Sequence, residues 1–146
     1  HRNRVATAMR LTHLPTGIAG AAAERRERKA NERVAFQRLR LNLALLHRSP
    51  LRDADFVPPG SYVPSEAWER RRKGTRVRVS PEHDDFPALL AEVLDRLLVD
   101  EDDLERTAAA FRVSRSQLVK FLALEPQALA QLNARRKERG QHPLRG

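Results

Sequence analysis

An α+β fold is predicted for this chain of 146 residues, and three features of the sequence predict it. Two short strand patterns flank the turn sequence Leu-Pro-Thr-Gly at residues 14–17. A long helical pattern follows from Glu24 to about His47, and four more fill residues 87–146, the first two from Pro87 to Val99 and from Asp102 to Phe111. We therefore expect a β-hairpin with a long basic helix, then an extended segment, then a small all-α domain with a helix-turn-helix-like unit.

The hairpin is predicted from its turn. Pro15 fixes φ at the first central position, and Gly17 can adopt the left-handed conformation that completes a bulged hairpin loop. Residues 7–14 alternate between apolar and polar side chains and are predicted as the first strand. The return strand, residues 18–23, has a weaker pattern because Gly20 and the alanines after it have poor β propensity. Those alanines fit the start of the next helix equally well.

The helical pattern after the hairpin has one apolar stripe and one basic stripe. Its acidic residues are few and lie near the predicted start of the helix, where the helix dipole favours them, so the basic stripe is left without partners. The apolar side chains repeat at spacings of three and four and are Ala35, Phe36, Leu39, Leu43 and Leu46. The neighbouring basic stripe is Arg26, Lys29, Arg33 and Arg40.

The positive charge is concentrated in the first third of the chain. The formal net charge is +9, and residues 1–50 hold 11 Lys or Arg against 3 Glu. Residues 51–86 hold 7 basic against 7 acidic residues, and residues 87–146 hold 10 against 9. An excess of this size predicts a polyanionic partner, with nucleic acid first and an acidic membrane surface second. The first third should therefore face that partner.

Composition excludes several kinds of site. The chain has no cysteine and its five histidines are scattered singly, so we expect no disulfide framework, no metal and no cofactor. No apolar run approaches the length of about 20 residues that a spanning helix needs, and no signal-peptide pattern occurs. We accordingly predict no membrane partner, and a reducing, cytoplasmic location.

Three domains or segments are predicted: residues 1–48, residues 49–86 and residues 87–146. The middle segment is rich in proline and is predicted as an extended connector, which Phe56, Tyr62 and Trp68 anchor by apolar contacts. Its basic run, residues 70–73, fits either RNA contact or a solvated charged surface.

The third segment has the outline of a helix-turn-helix in the sequence AAAFRVSRSQLVKFL, residues 108–122. Val113 is predicted to fill the turn, and Ser114 with Gln117 to form a capping box for the second helix. Arg112 stands where such turns usually have glycine. Pro126 is predicted to open a last helix and Gly140 to close it. The pattern fits nucleic-acid contact and plain packing equally.

The start of the chain carries a family resemblance. The stretches HRNRVATAMRLTHLPTGI and ERRERKANERVAFQRLR resemble the catalytic domain of class I peptide chain release factors and their ribosome-rescue relatives. In that family a Gly-Gly-Gln motif precedes His-x-Asn-Lys, a strand ending Thr-His-x-Pro-Thr-Gly-Ile, and an Arg-Ser-Gln-x-x-x-Asn segment. The matching residues, in order and without a gap, are His1, Asn3, Arg10, Thr12, His13, Pro15, Thr16, Gly17, Ile18, Arg26, Asn31 and Ala35.

The resemblance implies a reaction and a partner. The family hydrolyses the ester between a finished peptide and tRNA on the ribosome, in translation termination or in rescue of stalled ribosomes. It implies that Gly-Gly-Gln would stand directly before His1, so that this chain itself holds no catalytic residue. It further implies large-subunit rRNA and peptidyl-tRNA as partners, and we expect a monomer. The residues expected to bind rRNA are His1, Arg2, Asn3, Arg4, Arg10, His13, Arg26, Lys29, Arg33 and Arg40.

The resemblance has departures and leaves alternatives. Glu27 and Arg28 stand where the family has Ser-Gln, and Lys29 and Ala30 stand where it has His-Lys. Residues 48–146 resemble only the C-terminal part of uncharacterised bacterial release-factor-like proteins. Two other functions compete: a ribosome- or RNA-binding module without hydrolysis, and a DNA-binding regulator that uses residues 104–123. We do not expect DNA as the partner, since residues 87–146, which include this unit, hold 10 basic against 9 acidic residues, a net charge of only +1.

Overall fold

The computed structural model describes residues 7–146. Over that range the fold is α+β, with six α-helices and two small antiparallel hairpins. The chain divides into two compact units, residues 1–48 and residues 49–146. None of the described helices is long and apolar enough to cross a membrane.

The first unit is a β-hairpin packed against one helix. Strands β1 (Met9–Thr12) and β2 (Ala19–Ala22) pair antiparallel, and helix α1 spans Arg28–Leu46. The predicted turn is confirmed: Gly17 has φ +74°, its N–H donates to the His13 carbonyl at 2.7 Å, and the His13 N–H donates to the Ile18 carbonyl at 2.8 Å. The weak return strand forms, so its alanines belong to the hairpin and not to the helix.

Helix α1 lies close to β2 because of one glycine. A Cβ on Gly20 would lie 2.3 Å from the Leu39 backbone nitrogen and 2.4 Å from the Ala35 carbonyl oxygen. Ala35 and Leu39 are buried on the helix face that meets the hairpin. Phe36 and Leu46, predicted as part of the apolar stripe, are instead 54% and 64% exposed. The apolar side of α1 is therefore narrower than its sequence pattern indicates.

The start of α1 is fixed by Asn31, a fully buried polar residue. Its Oδ1 accepts from the Arg25 N–H at 2.9 Å, and its Nδ2 donates to the carbonyls of Thr7 and Arg25 at 2.7 and 3.0 Å. These bonds hold residues 24–27 in a bend, so the helix begins at Arg28 and not at Glu24 as predicted. Arg26 consequently precedes the helix.

The second unit surrounds an aromatic core. Its helices are α2 (Glu66–Arg71), α3 (Phe86–Val99), α4 (Leu104–Ala110), α5 (Arg115–Ala123) and α6 (Pro126–Glu138). The Trp68 ring packs 4.7 Å from that of Phe111 and 5.2 Å from that of Phe121, centroid to centroid, and its Nε1 donates to the Phe111 carbonyl at 2.9 Å. Phe86 packs on Phe121 in turn, at 5.5 Å.

Residues 49–86 contain more regular structure than the predicted extended connector. They form two short 3-10 helices (Asp53–Asp55 and Pro59–Ser61), helix α2, and a second hairpin of β3 (Arg72–Lys73) and β4 (Arg76–Val77). Trp68 and Phe86 are buried in the core of the second unit, whereas Phe56 is 57% exposed. Trp68 thus anchors this segment as predicted, and Phe56 does not.

Helices α4 and α5 form the predicted helix-turn-helix. Val113 is buried in the turn, and the Ser114 Oγ accepts from the Gln117 N–H at 3.2 Å, which is one half of the predicted capping box. The other half does not form, since the Ser114 N–H donates to the Thr75 carbonyl and not to the Gln117 side chain. Arg112 has φ +57°, the left-handed conformation that glycine usually supplies at this position. Helix α4 begins two residues later than predicted because Glu101 and Asp102 are themselves left-handed, at φ 52° and 61°.

Candidate nucleic-acid interface

The predicted rRNA-binding residues fall into three groups in the structure. His1, Arg2, Asn3 and Arg4 lie outside the described residues. Arg10 lies on β1. Arg26, Lys29, Arg33 and Arg40 lie before or on α1.

Helix α1 presents a continuous basic face to solvent. Lys29, Arg33, Phe36 and Arg40 follow one another at spacings of four, three and four, which places them along one side of the helix. That side differs from the one that carries Asn31, Ala35 and Leu39 against the hairpin. Lys29, Arg33 and Phe36 are exposed, and Arg40 is half-buried. We call the set Arg26, Lys29, Arg33, Phe36 and Arg40 the α1 basic face.

Three cations of this face have no acidic partner. Within residues 7–146, the side chains of Arg26, Lys29 and Arg33 take part in no hydrogen bond or ion pair. The nearby acid Glu24 is bound to Arg38, which holds the pKa of that carboxyl at about 2. Glu32 lies beside the face and pairs with none of these cations. The three charges are therefore available to an external anion.

Phe36 places an aromatic ring in the middle of the cations. The Arg40 guanidinium carbon lies 6.0 Å from the centre of that ring, and the Arg40 Nη1 donates to the Gln37 Oε1 at 3.3 Å. Phe36 is 54% exposed, so much of this large apolar side chain faces solvent. Aromatic rings between cations suit nucleic acid, because bases stack on rings while phosphates bind cations. The sequence pattern placed Phe36 in the apolar stripe of α1 because its spacing also fits the apolar repeat.

Arg10 lies on the other side of the first unit. It pairs in register with Ala21, and both are exposed, whereas Gly20 and Ala22 are buried beneath α1. Because successive side chains of a strand alternate between faces, Arg10 points away from the helix. The structure thus does not place Arg10 and the α1 basic face on one surface.

His13 is engaged within its own hairpin. Its Nδ1 lies 2.8 Å from the Thr16 Oγ1, and the same hydroxyl oxygen accepts from the Ile18 N–H at 3.2 Å. These contacts stabilise the turn, so a structural role explains His13 and Thr16. Together with Gly17, Asn31 and Ala35, they show that much of the matched pattern maintains this hairpin and helix. Arg10 and Arg26, by contrast, make no side-chain contact within the described part of the chain that would explain them.

The second unit offers a cavity of about 750 Å³ between residues 49–57 and helix α3. The charged side chains that line it are Arg52, Asp55, Glu92, Asp95 and Arg96. Because the acidic residues outnumber the basic ones, this lining does not favour binding of a polyanion. Glu92 is bound to the Tyr62 hydroxyl at 3.0 Å and to the Ser65 hydroxyl at 2.6 Å. Arg96 is bound to Asp100 at 2.9 Å. These groups hold the fold together.

Helix α5, the candidate DNA-reading helix, carries few cations. Arg115 lies 3.7 Å from the Glu105 carboxylate, and Lys120 is exposed on the same helix.

Among residues 7–146, no cluster of His, Asp and Glu side chains could hold a metal ion. Comparison with protein-family models, curated proteins and solved structures found no match to this chain.

Proposed function

We propose that this chain belongs to a release-factor-like protein of translation, and that its first unit binds ribosomal RNA through the α1 basic face. The proposal depends above all on one observation: Arg26, Lys29 and Arg33 are exposed and have no acidic partner within residues 7–146. The exposed ring of Phe36 lies one helical turn beyond Arg33. The phosphate backbone of RNA supplies anions at the spacing of such cations, and an unpaired base supplies a partner for the ring. The gap-free resemblance adds the ribosome as the source of that RNA.

The proposed reaction is hydrolysis of the peptidyl-tRNA ester, in termination or in rescue of stalled ribosomes. This chain holds no Gly-Gly-Gln sequence, so the proposal assigns binding and positioning, not ester hydrolysis, to its residues. Hydrolysis would belong to a Gly-Gly-Gln loop directly before His1, where glycines let the backbone approach and a backbone N–H can stabilise the oxyanion. The first unit would then hold that loop in the peptidyl-transferase centre.

A charge-neutralisation experiment tests the binding site. The variant Arg26→Gln, Lys29→Gln, Arg33→Gln removes three positive charges from the α1 basic face. Each cation on a phosphate contributes close to one unit to the slope of log K against log salt, so the slope should fall by about two to three units. Binding to purified ribosomes is measured by pelleting across a potassium chloride series.

A matched variant controls for net charge. Lys120→Gln, Lys137→Gln, Arg145→Gln removes the same charge from exposed side chains of the second unit that have no partner within the described residues. This variant should retain the slope of the parent chain. Equal losses in the two variants would show that binding follows net charge alone and would contradict the proposed site. Duplex DNA that outcompetes ribosomes would favour the DNA-binding alternative.

A further inference from the structure

The second unit contains a basic run, residues 70–78, whose six cations the structure divides into two groups. Arg70 and Arg71 lie 4.0 and 2.9 Å from the Asp85 carboxylate, and Arg72 lies 2.8 Å from that of Glu69. These three hold α2 and β3 in place. The other three, Lys73, Arg76 and Arg78, are exposed, and their side chains have no partner within residues 7–146.

The three unpaired cations share one face of the β3–β4 hairpin. Lys73 and Arg76 are directly opposite each other in the register. The Arg78 N–H donates to the Arg71 carbonyl at 3.0 Å, which continues the pairing by one step beyond β4. Side chains two residues apart on a strand lie on the same face, so Arg78 joins Lys73 and Arg76 there. We call these three residues the hairpin cations.

This arrangement is unfavourable for the hairpin alone. Like charges directly opposite each other on paired strands destabilise the pair, and no acid offsets Lys73 and Arg76. The strands are only two residues long, so little strand pairing offsets the repulsion. A bound anion would relieve the repulsion between Lys73 and Arg76.

The hairpin is also held in position before any ligand binds. Gly74 has φ +58°, which suits the first central position of a type II′ turn. The next residue, Thr75, accepts through its carbonyl from the Ser114 N–H at 3.2 Å, at the residue that caps α5. The Trp68 indole is bonded to Phe111 at the other end of the same helix-turn-helix turn. The hairpin cations therefore stand on a fixed support, which reduces the entropy lost on binding.

We propose that the hairpin cations form a second nucleic-acid contact, which binds phosphate groups of the backbone without reading sequence. Lysine and arginine on phosphate supply affinity and position but no base recognition. The neighbouring helix α5 adds little base-reading capacity, since its Arg115 is paired with Glu105. The contact accordingly fits the backbone of a double helix, and it is separate from the α1 basic face.

The test compares two variants with the parent full chain on duplexes of RNA and of DNA with the same sequence, by fluorescence anisotropy across a potassium chloride series. Lys73→Gln, Arg76→Gln, Arg78→Gln should lower the salt slope by about two to three units on whichever duplex binds. The Lys120, Lys137 and Arg145 variant should leave the slope unchanged. A stronger effect on RNA would identify RNA as the source of the phosphates, and a stronger effect on DNA would identify DNA.

Two results of the binding experiment would overturn the inference: a slope unchanged by the hairpin variant, or an equal change in the control variant. Thermal unfolding followed by the fluorescence of Trp68, the single tryptophan, checks the fold. Removing opposed like charges should leave the midpoint unchanged or raise it, whereas a lower midpoint would give these cations a structural role and also overturn the inference. The α1 variant separates the two proposals, because its effect on ribosomes does not depend on the hairpin.

Discussion

Gly20 decides at the level of a single residue whether helix α1 can meet the hairpin. A side chain there would collide with backbone atoms of Ala35 and Leu39, which cannot rotate away as a side-chain tip can. We expect Gly20→Ala to destabilise the first unit by about 1–3 kcal/mol, a typical cost of overpacking. Hydrogen exchange of the α1 amides measures the loss.

Gly60 provides the matched control for that substitution. A Cβ on Gly60 would meet nothing within 4 Å, and its backbone is not left-handed. Gly60→Ala should leave α1 exchange as in the parent chain. Slow exchange retained in Gly20→Ala would show that the helix can shift without cost and that the close approach is not needed.

Sequence alone could not assign these residues their roles. Gly20 lowers β propensity, so the pattern gives a weak strand, yet the same missing Cβ is what admits the helix. Asparagine is usually found at the protein surface. The burial of Asn31 depends on its hydrogen bonds to Thr7 and Arg25, which no local sequence pattern predicts. The signal for Asn31 was in the resemblance, where it is one of the matching residues, whereas Gly20 is not among them.

At the level of the element, local patterns were reliable where local contacts decide. The turn at Pro15–Gly17 and helices α3, α5 and α6 formed where predicted, because turn residues, Pro126 and Gly140 act on their own neighbours. Helix α2 was missed because six residues are too few to show a helical period. Its fold depends on Trp68 meeting Phe111, which is 43 positions away. The Ser65 cap, whose Oγ accepts from the Trp68 N–H, was the available signal.

Phe36 on the exposed side of α1 gives a prediction for that helix. If a base stacks on its ring, Phe36→Ala should weaken RNA binding by about 1 kcal/mol or more, roughly fivefold, at every salt concentration. Stacking releases no counterions, so the salt slope should not change. A short uridine-rich single strand serves as the probe, and anisotropy gives the affinity.

Phe36→Leu is the control for that change, since leucine retains apolar area without a ring. It should lose affinity nearly as alanine does, whereas Phe36→Tyr should retain it. If Phe36→Leu binds RNA with the affinity of the parent chain, Phe36 contributes apolar contact and not stacking of its ring on a base. A change in slope would indicate that the substitution disturbs Lys29 or Arg33.

Across the whole molecule, the ion pairs of the carboxylates predict that the fold loses stability at acid pH. Arginine side chains lower the pKa values of Glu24, Asp85 and Asp102. The backbone N–H of Arg52, followed by its side chain, lowers the pKa of Asp55. A carboxyl whose pKa is lower in the folded state stabilises the fold above its ordinary pKa, and that contribution is lost as the pH falls through the folded value. Most of these pairs are solvent-exposed and contribute little. Asp102 differs, since its side chain is only 5% exposed.

Asp102 joins the loop between α3 and α4 to helix α6. Burial by itself raises its pKa, but hydrogen bonds from Arg135 at 2.7 and 3.0 Å and from Arg139 at 2.7 Å outweigh burial and lower it. Asparagine tolerates the left-handed backbone that Asp102 adopts, so Asp102→Asn removes the charge without backbone strain. We expect the variant to be less stable near neutral pH by about 1–2 kcal/mol, the contribution of charged hydrogen bonds.

The same variant should be the least sensitive to acid. From about pH 5, just above the ordinary pKa of an aspartate, down through its lower folded value, the parent chain loses the contribution of Asp102 progressively. Asp102→Asn has none to lose, so the urea midpoints of the two chains should converge over that range. Asp55→Asn, which removes a carboxyl paired with the exposed Arg52, should keep the acid sensitivity of the parent chain. Urea unfolding followed by the fluorescence of Trp68 reports on the second unit at each pH. Parallel midpoints for the parent chain and Asp102→Asn would show that acid acts elsewhere than at the bonds of Asp102 to α6.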